Sequence, residues 1–186
     1  MAEVIEFDPV DALHAGALGL PGQRTFMIQA RKGNATLSVL VEKEQVPLLA
    51  TEATSFLDRL AREFPEARPD ERLAEPSLGA GVHDDVPLFR ARMIGLGFDV
   101  ERGLVLLELR EAGDEADDPD ELGADEPDDE PDDDDVDGHI ARFYATRAQV
   151  RAMALSGATA VASGRPECPL CELPMDPDGH RCPRLN

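Results

Sequence analysis

The chain predicts an α+β fold: an antiparallel sheet built from two hairpin-plus-strand sets, each followed by a helix, with a short cysteine-bearing tail. Three observations carry this expectation. Apolar residues alternate at period two on either side of tight turns in 24–42 and again in 88–111. The spacing then changes to three and four over 44–64 and over 146–164, which is helical. All three cysteines fall in the last nineteen residues, CPLCELPMDPDGHRCPRLN (168–186), where prolines and acids replace any periodic pattern.

Taken in order, EVIEF (3–7) reads as a short strand broken by Asp8-Pro9. HAGALGL (14–20) is small and apolar, and Pro21-Gly22 turns the chain. RTFMIQARK (24–32) and ATLSVLVE (35–42) flank Gly33-Asn34, a strong hairpin signal. From Glu44, the residues Val46, Leu49, Ala50, Ala53, Phe56, Leu57, Leu60 and Phe64 mark one face of a helix. Pro47 fits only its first turn, so the helix starts near 43–45, and Pro65 stops it. Residues 65–87 hold four prolines and two glycines and read as a loop. LFRARMIGLGFD (88–99) and RGLVLLELRE (102–111) form the second hairpin, and apolar residues on both faces of the latter suit a central strand. HIARFYA (139–145) is a further strand, and 146–164 is a helix with Thr146 as its cap and Val150, Met153, Ala154 and Val161 on one side.

There is a faint internal echo. LSVLVEKEQVPLLATEAT (37–54) aligns without gaps on ARFYATRAQVRAMALSGA (141–158), with Gln45–Val46 meeting Gln149–Val150. Duplication and chance both account for so few identities.

The net charge of −21 is a local property. Residues 114–137 hold sixteen acids and no base; without them 23 acids face 18 bases, a net of −5. The run has too few apolar residues to pack and reads as a disordered, solvated insertion over 112–138. Its spacing does not match a calcium-binding loop. No cluster of five bases exists, and residues 139–186 carry six arginines against four acids, so nucleic-acid binding is disfavoured. No apolar stretch is long enough to span a membrane, and the N-terminus lacks the pattern of a signal peptide. A cytoplasmic protein is the simple expectation.

Cys168, Cys171, His180 and Cys182 are spaced C-x2-C-x8-H-x-C. Two thiolates three apart in a proline-stiffened turn can face one ion, and Asp176-Pro177-Asp178-Gly179 can fold the second pair back over the first. Three sulfurs and an imidazole suit tetrahedral Zn2+. An odd cysteine count argues against disulfides, and the setting of the CxxC pair is not that of a redox helix. Four protein ligands close the site, which makes such a zinc knuckle structural, because a catalytic zinc needs an open position. The domain layout expected is therefore 1–164 for the α+β domain and 165–186 for the zinc-binding tail.

Elsewhere the candidates are weaker. GALGLPG (16–22) lacks the Lys-Ser or Lys-Thr of a phosphate loop, and Gly95 and Gly97 suit a bend in a strand. His14, His83 and His139 lie far apart and read as surface or loop residues. GLPGQRTFMIQA, VLVEKEQV, MIGLGFD and ASGRPECPLCELPMDPDGHRCPR together resemble an actinobacterial family known as domain-of-unknown-function family 3090. The likeness spans nearly the whole chain outside 65–87 and the acidic run, and it implies a cytosolic protein without an assigned catalytic activity. The leading expectation is a non-enzymatic interaction or regulatory module, acting on a protein partner and carrying a structural zinc. The competing one is a small-molecule-binding protein or enzyme whose pocket lies near Gly19, Gly22, Arg24, Gly95 and Gly97.

Overall fold

The computed structural model describes residues 3–65, 82–111, 138–164, 168–173, 175 and 179–185. Among them, strands β1 (Glu3–Phe7), β2 (Ala12–Leu18), β3 (Thr25–Lys32) and β4 (Ala35–Val41) precede helix α1 (Gln45–Glu63). Strands β5 (Phe89–Asp99), β6 (Leu104–Glu111) and β7 (His139–Ala145) precede helix α2 (Arg147–Ala162). The acidic segment 112–137, residues 66–81 of the expected loop, Pro174 and the tail turn at 176–178 lie outside the described residues.

The strands form one seven-stranded sheet in the order β1-β7-β6-β5-β4-β3-β2. The sheet is mixed, which corrects the expectation of an antiparallel one: β4 runs parallel to β5, and β1 parallel to β7. Turn and alternation signals report hairpins, which are antiparallel by construction. A crossover through a helix returns the chain in its original direction, and α1 does this between β4 and β5.

The order is linear on paper and closed in space. Seven strands about 4.8 Å apart span roughly 29 Å when flat, yet β1 and β2 occupy opposite ends and are joined by the residues from Phe7 to Ala12. Those five steps reach at most ~18 Å. The sheet must therefore curl, and consecutive amides show where it closes. Val10 N–H donates to Tyr144 O on β7 at 2.9 Å, and Asp11 N–H donates to Arg31 O on β3 at 2.8 Å. Opposite this seam the curl is made by β5. Its first residues, Phe89 and Arg90, pair with β4, and from Ala91 onward it pairs with β6. The register slips by one residue between Ala91 and Met93, a bulge at Arg92 that turns the strand from one neighbour to the other.

The internal echo is structural. Strands β4 and β7 coincide under the same 104-residue shift that aligns the two sequences, 35–41 on 139–145. Gln45 and Gln149 do the same work. Gln45 Oε1 accepts from Glu42 N–H at 2.7 Å and its Nε2 donates to Ala91 O and Arg92 O. Gln149 Oε1 accepts from Thr146 N–H at 2.8 Å and its Nε2 donates to Val10 O and Asp11 O. Each glutamine ties the start of its helix to a bend of the backbone, the β5 bulge for Gln45 and the connection between β1 and β2 for Gln149. The molecule is thus two βββα units, β2–α1 and β5–α2.

Helix α1 buries the stripe Val46, Leu49, Ala53, Leu57 and Leu60, at spacings of three and four. Pro47 sits in its first turn, and the Phe64 amide closes the last turn onto Leu60 O. Helix α2 starts with a full capping box: Thr146 accepts from Gln149 N–H while Gln149 reaches back to Thr146 N–H. It buries Val150, Met153, Ala154 and Gly157. The core joins these helix faces to Ile28, Val39, Val105, Leu107, Leu109 and Phe143 of the sheet. Burying such side chains contributes about 1.5–3 kcal/mol each relative to leaving them exposed.

Candidate metal centre

After α2 the described chain has no regular element, and local hydrogen bonds shape it instead. Glu172 N–H donates to Cys168 O at 2.8 Å, and Cys168 N–H donates to Leu173 O at 2.9 Å, wrapping residues 168–173 into a tight turn. The turn needs one residue in the left-handed region, and Glu172 takes it at φ 63°. Gly179, at φ 89°, supplies the same bend before His180, where glycine carries no steric cost.

These turns bring Cys168, Cys171, His180 and Cys182 together, with one donor atom from each lying within 4.8 Å of all the others. Cys168 Sγ is 3.9 Å from Cys182 Sγ, and Cys171 Sγ is 3.2 Å from His180 Nε2. Those two separations bracket the ~3.8 Å edge of a tetrahedron with metal–sulfur bonds of about 2.3 Å. Cys168 and Cys182 are buried, while Cys171 and His180 are half-buried. All three thiols are free. The backbone amides of Leu170 and Cys171 favour the Cys168 thiolate and pull its pKa down. At Cys171 the Leu173 amide acts in the same direction, but burial and the neighbouring Cys168 and Cys182 sulfurs outweigh it and push the pKa up. Sulfurs this close repel one another as anions, and a shared cation removes that repulsion. The four residues can hold one metal ion.

The other candidates do not converge. Gly19 and Gly22 take φ 99° and 97° in the β2–β3 turn, where a Cβ on Gly19 would stand 2.6 Å from Gln23 O. Arg24 crosses to the end of α2, and its Nη1 donates to Ala160 O at 2.9 Å and Ser163 Oγ at 3.2 Å. Gly95 and Gly97 lie in β5, opposite Glu108 and Leu106. His139 opens β7, stacked on Phe89, with Nδ1 2.6 Å from Glu111 Oε2. His14 lies in β2, where burial first, then His83 and Arg31, lower its pKa below 6.5.

A different set of residues surrounds an open groove of about 570 Å³ between α1 and β5. Its walls are the α1 stripe Gln45, Leu48, Leu49, Glu52, Ser55, Phe56, Arg59 and Arg62 and alternate β5 residues Arg92, Ile94 and Leu96. None of Gly19, Gly22, Arg24, Gly95 or Gly97 lines it. The signal was present at helical and strand spacing, but only the bend of β5 at Arg92 brings the two series face to face.

No described helix is long and apolar enough to cross a membrane. No curated protein and no solved structure matches the chain. A family model described as "Protein of unknown function (DUF3090)" matches residues 5–182, and the chain belongs to that family.

Proposed function

We propose that this is a non-enzymatic interaction or regulatory protein of the cytoplasm, whose C-terminal segment is stapled by a structural Zn2+. The observation that carries the reading is the mutual approach of four protein donors to within 4.8 Å. Three sulfurs and an imidazole favour zinc over hard cations, and four protein ligands fill a tetrahedral shell without leaving a place for water or substrate. A role in contact with a partner protein is supported by what the staple displays. Leu170, Leu173 and Leu185 sit on the loops that carry the ligands and are 45%, 50% and 74% exposed. Side chains of this kind are held out at a defined geometry only while the loops are held.

The test is metal content and coordination in the full-length protein. One zinc per chain, lost in Cys168→Ser/Cys171→Ser, and a cobalt-substituted form with the spectrum of a tetrahedral sulfur-rich site are expected. A fourth ligand shown by X-ray absorption to be water in place of His180 would sink the structural assignment. For the partner role, proteins retained by the native chain should be lost both on chelation and in Leu170→Ser/Leu173→Ser.

A further inference from the structure

The groove between α1 and β5 has the composition of a binding site. Its floor is apolar, made by Leu49, Phe56, Ile94 and Leu96, and three of its wall residues are arginines, Arg59, Arg62 and Arg92, against the single acid Glu52. Among the other described arginines most are committed to carboxylates: Arg31 to Asp11, Arg90 to Glu42, Arg102 to Asp8, Arg110 and Arg142 to Glu108, Arg151 to Asp58. Among the described residues the three groove arginines have no carboxylate partner. Arg59 lies over the Phe56 ring at 5.3 Å, and Arg62 uses only its Nε, on Asp58 O. Their terminal N–H groups remain available.

The charges are also separated along the groove. Gln45 fixes the Arg92 end by its bond to Arg92 O. Arg59 and Arg62 follow fourteen and seventeen residues later on the same helix, about 21–26 Å away at 1.5 Å per residue. One end therefore offers two guanidinium groups one turn apart, and the apolar floor extends from it. In a chain of net charge −21 a cationic pocket with an apolar floor is a selective feature. We propose that this groove binds a soluble amphipathic anion, with a phosphate or carboxylate headgroup at Arg59 and Arg62 and a linear apolar body over Phe56, Ile94 and Leu96. The volume of about 570 Å³ lies within the range of small-molecule sites. Paired guanidinium groups match the closely spaced anionic oxygens of such a headgroup. The chain's own acidic run is a poorer occupant, because 114–137 has sixteen acids but only Leu122 and Val136 as large apolar residues, too few to cover the floor.

The test uses the full chain and decyl phosphate below its micelle threshold, followed by calorimetry and by amide chemical shifts. Saturable one-to-one binding is expected, with shifts confined to α1 and β5. Inorganic phosphate, decanol and decyltrimethylammonium should each bind at least tenfold more weakly, since each lacks one half of the match. Arg59→Gln/Arg62→Gln should weaken decyl phosphate at least tenfold, and Leu48→Glu, at an exposed wall position, should do so without touching the core. Equal affinity for the decyl cation, full affinity in the double arginine variant, or co-sedimentation with phosphatidylglycerol vesicles in place of saturable binding would each overturn the proposal. The vesicle result would assign the arginines to a membrane surface instead.

Discussion

At the scale of single residues, two positions show how packing and charge decide stability here. Gly157 lies where α2 meets both α1 and β2, and a Cβ built on it would stand 3.0 Å from Val46 Cγ1 and 3.1 Å from Ala15 Cβ. Gly157→Ala sets a helix-propensity gain of about 1 kcal/mol against that crowding, and should be close to neutral. Gly157→Val adds two methyl groups with nowhere to go and should cost about 2–3 kcal/mol. Thermal melts in which valine equalled alanine would show that the helices can separate freely. Glu108 illustrates charge. Burial would raise its pKa, but hydrogen bonds from Arg142 and Arg110 outweigh burial and hold it below 4.5. A carboxylate depressed in the folded state stabilises above its unfolded pKa, and that stabilisation fades as the pH falls through the folded value. Glu108→Gln should therefore cost about 1 kcal/mol at pH 7 and less at an acid pH below the folded value. A penalty of the same size at both pH values would mean that packing, not charge, is what the glutamate supplies.

At the scale of elements, the paired glutamines allow an internal comparison. Gln149 is 1% exposed, and its loss strands a buried amide and the carbonyls of Val10 and Asp11. Gln45 makes the same bonds where water can replace them. Gln149→Ala should cost about 1–3 kcal/mol and Gln45→Ala less than about 1 kcal/mol; the opposite order in denaturant titrations would refute the view that Gln149 pins the sheet's seam. The metal centre gives a second element-level expectation. Chelation should raise amide exchange across the described tail residues 168–185 while β3, β4, β5 and β6 stay protected, because the tail has few large apolar residues to order it without an ion. Global unfolding on chelation would make the tail part of the core. These elements differ in how far the sequence disclosed them. Alternation and turns marked β3 to β7, and helical spacing marked α1 and α2 with their first turns, because those signals are local. Strand β2 escaped because ALHAGAL is small and mostly apolar rather than alternating. It is covered on one side by α2 at Gly157 and on the other by Val82, 3.0 Å from a Cβ built at Gly16. The clustering of Cys168, Cys171, His180 and Cys182 was legible from spacing alone. The parallel pairings and the groove were not, since each joins residues far apart along the chain.

At the scale of the whole molecule, the largest compositional feature can be separated from the fold by one replacement. Residues 112–137 connect two strands whose pairing continues to their very ends: Arg110 faces Ile140, and Glu111 Oε2 accepts from His139 N–H at 3.1 Å. The hairpin ends are thus held by the ladder itself, and a short Asn-Gly-containing turn can join them. Replacing twenty-six connecting residues by about four lowers the loop-closure cost by about 1–2 kcal/mol. It also removes sixteen acids and brings the net charge from −21 to −5. Repulsion between exposed charges is screened over ~10 Å at 0.1 M salt, so any electrostatic part of the gain must shrink as salt is added, while the entropic part must not. The shortened protein should melt several degrees higher at low salt and keep a smaller advantage at high salt. It should also keep the capacity of the Cys3His cluster to bind a metal ion and the proposed affinity for decyl phosphate, because neither the four cluster residues nor the groove residues belong to the segment. A melting temperature several degrees lower in moderate salt would show that the acidic segment packs on the domain and contributes to its stability. Tighter binding of decyl phosphate after the replacement would show that the segment competes for Arg59 and Arg62, and would make the acidic run a regulator of the groove.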